Sequence, residues 1–265
     1  MFKRKVARFV RGHALARWLI GVGEMTVFGT RLRELILLGL LRGYYSSLSR
    51  RHWTWQVRGE PHFTLHRLGF FSLMMGTDPA GFRTHARAFY SATCVRAGDR
   101  VLDIGCGDGS LTRRALAPKA SQVEAIDLEP SAVAYAARMN SGPNIHYAVL
   151  DAVTQPLPGF YDVICFDGAL GHISAEDSAV LLAKIEAALK PEGIFCGSES
   201  LGHDGEDHLQ FFETADDMRA LLTTHFTHVR LLTADYPMMR GGSARVEAYW
   251  RCSQSAQALQ ALSWT

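Results

Sequence analysis

The sequence predicts an α/β fold, with a mostly parallel β-sheet covered by helices on both faces. After residue 97, short apolar runs alternate with helical stretches, and the links between them are short. Hydrophobic residues make up 48% of the 265-residue chain and charged residues 20%, which is enough for a well-packed core. In parallel sheets of this kind, ligands bind at the carboxyl ends of the strands.

Seven strands are predicted, over residues 100–104, 122–126, 145–150, 161–166, 193–198, 228–233 and 245–251. Helices are predicted from a glycine-rich turn to about residue 117, and over residues 130–140, 174–189 and 214–225. Ser174 and Asp177 are spaced as a capping pair at the start of the third of these helices. Residues 97–265 are therefore interpreted as one domain.

Residues 1–96 are interpreted as a separate N-terminal region that is helical and basic. Residues 1–58 contain twelve Lys/Arg and only two acids, Glu24 and Glu34, whereas acids predominate in the rest of the chain. Three helical patterns are visible, over residues 2–13, 32–40 and 79–94. The block of aromatic residues and histidines over 52–76 has no clear assignment.

The basic leader is compatible with several partners. Arg11, His13 and Arg17 interrupt its apolar residues, so it does not resemble a signal peptide, and no apolar run approaches the roughly 20 residues that span a bilayer. A basic amphipathic helix suits an anionic membrane surface, nucleic-acid phosphates, or the acidic body of the chain as a lid. A mitochondrial presequence also fits the composition. Five cysteines without CxxC spacing indicate a reducing, cytoplasmic setting.

The most informative motif joins the first strand to a turn with three alternating glycines. It reads Val-Leu-Asp-Ile-Gly-Cys-Gly-Asp-Gly over residues 101–109. Glycine allows a sharp turn and a close approach to a ligand, because it has no Cβ atom. The dinucleotide-binding fingerprint requires glycine where this chain has Ser110. Asp103 would repel a pyrophosphate but suits a cationic ligand, so the motif disfavours a nicotinamide cofactor.

Three further aspartates end or follow the next strands. Asp127 lies twenty residues after Gly107, where a carboxylate can accept hydrogen bonds from both hydroxyls of a ribose. Asp151 follows the third strand, where it can accept from an exocyclic amine or simply form a turn. Asp167 follows the fourth strand, where it either lines a site or only ends the strand. Between its glycines, Cys106 is interpreted as a small filler.

Together with a Leu-Lys-Pro-Glu-Gly turn over residues 189–193, these motifs make residues 97–251 resemble the class I S-adenosylmethionine-dependent methyltransferases. The resemblance implies a Rossmann-like, seven-stranded sheet with an antiparallel last strand. It implies that Asp103, Gly105 and Gly107 hold the methionine half of S-adenosyl-L-methionine. Asp127 would hold the ribose, with Leu128 against the adenine.

The same resemblance implies that Asp151 and Ala152 bind the adenine edge. Asp167 and Gly168 would line the methionine and acceptor side. Glu192 departs from the family, in which glycine is common at that position, but it lies away from the expected cofactor.

His172 is the candidate general base, because it follows the fourth strand and a hydroxyl acceptor would need one. A packing or capping role fits its position equally well. The cluster His203-Asp204-Gly205-Glu206-Asp207-His208 contains metal-ligating residue types, but we interpret it as a solvated acidic loop and expect no metal. Residues 236–242 contain Gly241 and Gly242 and are a candidate lid.

The sequence thus favours an enzyme that methylates a small-molecule, lipid or glycan acceptor. No Asn-Pro-Pro-Tyr motif follows the fourth strand, which by family analogy disfavours methylation of exocyclic amines on nucleic-acid bases. Two alternatives stay open. One is a nucleic-acid methyltransferase whose leader contacts phosphates, and the other is a non-catalytic module that binds the cofactor.

Overall fold

The computed structural model describes residues 14–15, 18, 22, 36–44, 80–203, 208–236 and 245–260. The chain divides into two compact units, Met1–Arg50 and Arg51–Thr265. In the first unit, residues 36–44 are helical, and Ile36, Leu37 and Leu40 are exposed. The helical pattern predicted over residues 2–13, the aromatic block 52–76 and most of the candidate lid lie outside the described residues. No helix among the described residues is long and apolar enough to cross a bilayer.

The second unit contains the predicted α/β sheet. Its strands are β1 Arg100–Ile104, β2 Gln122–Asp127, β3 Ile145–Val149, β4 Tyr161–Asp167, β5 Leu189–Leu201, β6 His228–Tyr236 and β7 Arg245–Ser253. Its helices are α1 Ala80–Cys94, α2 Pro130–Met139, α3 Ala175–Ala188, α4 Ala215–Thr223 and α5 Ala256–Gln260, with a π-helical turn Thr112–Leu116 and a 3-10 turn Leu170–His172.

Within the described residues, the sheet has seven strands in the order β3-β2-β1-β4-β5-β7-β6. The first five strands run parallel, and β7 pairs antiparallel with both β5 and β6. The predicted Rossmann-like class, with its antiparallel last strand, is confirmed. The order in which successive strands are added to the sheet reverses between the parallel neighbours β1 and β4, so the carboxyl ends of these two strands form the usual ligand-binding crevice.

The alternation of side chains along each strand produces two cores, one on each face of the sheet. On one face, Leu102 and Ile164 are buried with Leu182 of α3 and Met218 of α4. On the other face, the alternate residues of the same strands, such as Val101 and Val163, pack with α1, α5 and the end of the π-helical turn. Both faces of β1 and β4 are covered, which explains why their sequences read as nearly continuous apolar runs.

Two predicted elements differ from the structure in helix type or in starting point, and β5, β6 and β7 run two or three residues past their predicted ends. The stretch after the glycine turn was expected to be an α-helix, but its centre is a π-helical turn in which the Ala117 N–H donates to the Thr112 carbonyl at 2.9 Å. The fifth strand was expected to start at Gly193 after a helix stop, whereas β5 begins at Leu189. Leu189 pairs with Tyr161, and the register with β4 then shifts before Ile194, so the Pro191 segment is an irregularity in a strand.

Gly109 and Gly98 make a matched pair that tests the packing of the glycine turn. Both have positive φ angles, +70° and +94°. A Cβ on Gly109 would lie 2.5 Å from the Tyr147 hydroxyl and 2.8 Å from the Ala136 Cβ, whereas a Cβ on Gly98 would have no atom within 4 Å. We expect Gly98→Ala to cost about 1–2 kcal/mol of unfolding free energy from backbone strain alone. Gly109→Ala should cost about 1–3 kcal/mol more, because it also overpacks the core.

Urea unfolding followed by circular dichroism measures both variants against the unmodified chain. Equal losses for Gly98→Ala and Gly109→Ala would contradict the tight packing of Tyr147 and α2 against the turn.

Candidate functional site

The glycine turn after β1 is held open by backbone conformation and tied to β2. Gly105, Gly107 and Gly109 have φ angles of +70°, +53° and +70°, a region that side chains disfavour. The N–H groups of Gly105 and Cys106 donate to the Ile126 carbonyl at 2.8 and 3.0 Å. The turn therefore keeps its backbone at the carboxyl edge of the sheet, where no Cβ atom separates it from a ligand.

Asp127 ends β2 and clamps the same turn. One carboxylate oxygen accepts the Gly107 N–H at 2.8 Å, and the other accepts the Glu129 N–H at 2.9 Å. Both oxygens are thus fixed in position, yet each retains a lone pair that can accept a ligand hydroxyl. The next residue, Leu128, is 68% exposed, so an apolar surface lies beside the carboxylate.

Asp103 lies at the end of β1, beneath the glycine turn. It is 8% exposed, and it accepts a hydrogen bond from the Thr112 hydroxyl at 2.5 Å. The neighbouring Cys106 is also buried, and burial, assisted by the charges of Asp103 and Asp127, raises the pKa of its thiol. A thiol of this kind is unreactive, which agrees with its interpretation as a filler.

Asp151 is engaged in a local turn. One of its oxygens accepts the Val153 N–H at 2.9 Å, and the other accepts the Thr154 hydroxyl at 2.6 Å. The hydrogen bond from Thr154 is the main cause that lowers the pKa of Asp151. This arrangement orients the carboxylate and keeps it ionised. Beside it, the Ala152 carbonyl accepts from the Lys184 ammonium at 3.3 Å, which ties the turn to α3.

Asp167 lies at the end of β4, where it is more desolvated than Asp151. Its carboxylate accepts the Ser91 hydroxyl of α1 at 2.7 Å and the Ser198 hydroxyl of β5 at 2.9 Å. Burial raises the pKa of Asp167 to about 6, against the lowering effect of these two hydrogen bonds. Gly168 follows with a φ of +64°, and its N–H donates to the Ser198 carbonyl at 2.7 Å.

His172 lies in the 3-10 turn after β4 and is exposed. Its ring meets the ring of His208 edge-on, with centroids 4.6 Å apart. Phe211 lies next to His208, at 5.9 Å between centroids. The exposed imidazole is therefore at the carboxyl edge of the sheet, where the sequence predicted it.

Of the His-rich cluster over residues 203–208, positions 204–207 lie outside the described residues. His203 pairs with Glu213 at 2.6 Å. Among the residues that the structure describes, no group of three or more His, Cys, Asp or Glu side chains could hold a metal ion.

Sequence reasoning missed a set of charged residues close to Asp167. Arg87 of α1 forms an ion pair with Glu247 of β7, which is fully buried. Glu199 of β5 is 1% exposed and accepts the Gly171 N–H at 2.9 Å. The signal in the sequence was only weak, because Glu199 and Glu247 lie in strands that also contain serine or arginine residues.

The donor set fits a cationic nucleoside ligand such as S-adenosyl-L-methionine. Asp103 lies one residue before the end of β1, Asp127 and Asp167 end β2 and β4, and Asp151 follows β3, so four carboxylates lie near one edge of the parallel strands. Carboxylates attract an ammonium and a sulfonium and accept from ribose hydroxyls. The exposed face of Leu128 offers an apolar contact for a planar base.

Comparisons with known proteins agree with this geometry. Residues 101–193 match the family model described as a methyltransferase domain. The chain therefore contains a class I S-adenosylmethionine-dependent methyltransferase domain. Its family and its cofactor, S-adenosyl-L-methionine, were both expected from the sequence and are confirmed.

A ubiquinone biosynthesis O-methyltransferase of Azotobacter vinelandii is 35% identical over 101 residues. That match covers 37% of this chain and 42% of the relative, so the chain spans less than half the length of this curated relative.

Solved structures show the same fold at low identity. The N-methyltransferase NodS from Bradyrhizobium japonicum WM9, in complex with S-adenosyl-L-homocysteine, is 20% identical with a TM-score of 0.51, over 66% of this chain and 87% of that chain. The [4+2]-cyclase SpnF is 18% identical with a TM-score of 0.53, over 66% and 82%. Proteins named for different reactions thus share this fold, so the activity must be argued from the site.

Proposed function

We propose that this chain transfers the methyl group of S-adenosyl-L-methionine to a small-molecule acceptor. The observation that carries the proposal is the Asp127 carboxylate, which is fixed by the N–H groups of Gly107 and Glu129 beside the open glycine turn. In this proposal Asp127 accepts from the ribose hydroxyls and Leu128 contacts the adenine. A carboxylate so oriented loses little entropy on binding, which favours affinity.

The remaining candidate residues divide the cofactor between them. Asp103, Gly105 and Gly107 bind the methionine half, where the Asp103 carboxylate attracts positive charge. Asp151 and Ala152 bind the adenine edge. The Asp151 carboxylate already accepts two hydrogen bonds within its own turn, from the Val153 N–H and the Thr154 hydroxyl, so only its remaining lone pairs can bind the adenine.

When bound, the cofactor supplies a methyl group that a positively charged sulfur already activates. The chain has three tasks: to align the acceptor atom with that methyl group, to exclude water, and to remove a proton from the acceptor where the acceptor is a hydroxyl. Asp167 and Gly168 contribute to alignment at the end of β4. His172 removes the proton, because its exposed imidazole lies in the turn that follows Gly168.

A hydroxyl of a small molecule is the acceptor that we favour, because the curated relatives of the domain are named O-methyltransferases. Lipid and glycan hydroxyls belong to the same chemical class. A nucleic-acid acceptor and a module that binds the cofactor without turnover are the competing functions. Methyl transfer from deuterated cofactor into a metabolite or lipid extract, read as a mass gain, separates these possibilities.

Asp127→Ala tests the cofactor site. Loss of the acceptor for two ribose hydroxyls should weaken binding of S-adenosyl-L-homocysteine at least about tenfold, because charge-assisted hydrogen bonds contribute roughly 1.5–3 kcal/mol each. Isothermal calorimetry measures the affinity, and NAD should not bind to either protein.

The matched control is Asp162→Ala, which removes a carboxylate at the opposite, amino-terminal end of β4, where Asp162 pairs with Lys190. The affinity of Asp162→Ala for S-adenosyl-L-homocysteine should equal that of the unmodified chain. Unchanged affinity in folded Asp127→Ala protein would refute the ribose role.

His172→Ala tests the proposed base. Turnover on the acceptor identified by mass gain should fall about 10²–10⁴-fold, because a positioned general base contributes that factor. Calorimetric affinity for S-adenosyl-L-homocysteine should stay near that of the unmodified chain. His146→Ala, an exposed histidine on β3, is the control and should keep full turnover. A parallel loss of cofactor affinity in His172→Ala would make His172 a structural or cofactor-side residue instead.

We also propose that the basic first unit contacts anionic membrane surfaces. Residues 1–45 carry nine Lys/Arg and two acids, and Ile36, Leu37 and Leu40 are exposed on the helical stretch 36–44. Apolar side chains with flanking cations suit the headgroup boundary of an anionic bilayer. Each cation near such a surface contributes about 1 kcal/mol, so several suffice for measurable association.

Liposome flotation tests this proposal. The full-length chain should float with anionic vesicles but not with neutral ones, and high salt should release it, because screening weakens the attraction. A variant that lacks residues 1–45 should stay down while its affinity for S-adenosyl-L-homocysteine persists. Equal flotation of both proteins, or none by the full-length chain, would remove the membrane proposal and favour a lid.

A further inference from the structure

One face of α1 carries side chains that reach charged and polar groups of the sheet. Arg87 and Ser91 are spaced i, i+4, with Tyr90 and Cys94 on the same side, as a helix that packs through one face requires. Arg87 forms an ion pair with Glu247, and Ser91 donates to Asp167 at 2.7 Å. A single helix face therefore binds two carboxylates from two different strands.

The sheet brings these two carboxylates to the same face. Asp167 of β4 lies opposite Ser198 of β5, and two residues further along β5 Ser200 lies opposite Glu247 of β7. Residues directly opposite, and residues two apart on one strand, share a face. Asp167 and Glu247 thus both face α1, which is why one helix can contact both.

The Arg87 side chain also covers the turn after β4. A Cβ on Gly168 would lie 2.8 Å from the guanidinium carbon of Arg87, so only glycine leaves room for this contact. Glu247 additionally lies 3.7 Å from the Arg245 guanidinium nitrogen. The geometry places a cation directly over the turn that connects Asp167 to His172.

The groups around Asp167 shift the pKa of its carboxyl in opposite directions. Burial is the main cause that raises the pKa of Asp167 to about 6, and Glu247 raises it further, whereas Ser91, Ser198 and Arg87 lower it. Burial would lower the pKa of Arg87, but Glu247, Glu199 and Asp167 raise it above its ordinary value, so Arg87 remains charged. The titratable and charged groups around Asp167 are Arg87 of α1, Cys165 of β4, Cys196 and Glu199 of β5, and Glu247 and Arg245 of β7.

We propose that Arg87 is a positioning residue for methyl transfer, which acts by holding Asp167 and the Gly168 turn in place on the acceptor side. The proposal rests on the proposed function for its catalytic consequence. Asp167 in its ionised form accepts a hydrogen bond from the acceptor hydroxyl, and Arg87 favours that form by its charge. The competing explanation is that Arg87 only fastens α1 to the sheet through a buried ion pair.

The first experiment measures the ionisation of Asp167 directly and needs no acceptor. The full-length chain is labelled with ¹³C-aspartate, its carboxyl resonances are titrated, and Asp167→Asn assigns the signal. The unmodified chain should titrate at about 6. Arg87→Met should raise this to about 7.5, because a nearby cation lowers a carboxyl pKa by roughly 1–3. Glu247→Gln should lower it, because a like charge is removed.

The opposite shifts of the Asp167 pKa in Arg87→Met and Glu247→Gln distinguish a charge effect from mere loosening of α1. Mere loosening of α1 would expose Asp167 in both variants and would lower its pKa in both. Arg87→Lys keeps the positive charge, so the Asp167 pKa in this variant should lie near its value in the unmodified chain. Where Arg87→Met fails to fold, the double variant Arg87→Met/Glu247→Met replaces it, because it leaves no unpaired buried charge. The Asp167 pKa in the double variant should lie above that in Glu247→Met alone, because only the loss of the Arg87 cation distinguishes the two.

The second experiment measures turnover against pH, with the acceptor identified by mass gain. If the pKa rises to about 7.5, the ionised fraction of Asp167 at pH 6.5 falls from about three quarters to about one tenth, so turnover of Arg87→Met should fall roughly eightfold. The loss should disappear by about pH 9, and affinity for S-adenosyl-L-homocysteine should stay unchanged.

A loss of turnover in Arg87→Met that is equal at all pH values would overturn the proposal and favour the fastening role. An Asp167 signal that does not respond to Arg87→Met would overturn it as well. Absence of methyl transfer by the unmodified chain would instead refute the proposed function, and the NMR titration would still test the coupling of Arg87 to Asp167.

Discussion

The parallel pairing of β1 with β2 on one side and with β4 on the other is the constraint on which the site depends. Ile104 lies opposite both Ile126 and Phe166, so the three strands end at the same level. The glycine turn, Asp127 and Asp167 each follow that level by one residue, and they therefore meet at one edge although more than sixty residues separate the first from the last. A slip of one residue in either pairing would turn these side chains to the opposite face.

Within that edge, the backbone and the carboxylates perform different tasks. The glycine turn offers close approach because its φ angles are positive, and Asp127 keeps the turn in place through the Gly107 N–H. The same carboxylate is the candidate for ribose binding. One side chain therefore couples the shape of the turn to the proposed recognition of the ligand, so we expect a change at Asp127 to affect both properties.

Local patterns made most of the fold predictable, because the strands that matter are short, apolar and buried on both faces. The strands Arg100 to Ile104 and Tyr161 to Phe166 were predicted within one residue of their observed ends. The predicted start of β5 at residue 193 was wrong. Pro191 is a local signal for the end of a helix, whereas the pairing of Leu189 with Tyr161 depends on a distant strand. The Arg87–Glu247 pair could not be predicted, because 160 residues separate its members and no periodicity links them.

The site divides into two parts that differ in origin. The proposed cofactor side is built from the turns after β1, β2 and β3, mainly through backbone groups and carboxylates that neighbouring N–H groups or hydroxyls fix. The proposed acceptor side is built from side chains of α1, β4, β5 and β7, which meet only in the folded chain. Changes in α1 or β7 can therefore alter the surroundings of Asp167 without contacting Asp127. The first part lies within residues 101–193, which match the family model, whereas α1 and β7 of the second part lie outside that match. The reaction that distinguishes this chain must therefore be sought in the second part.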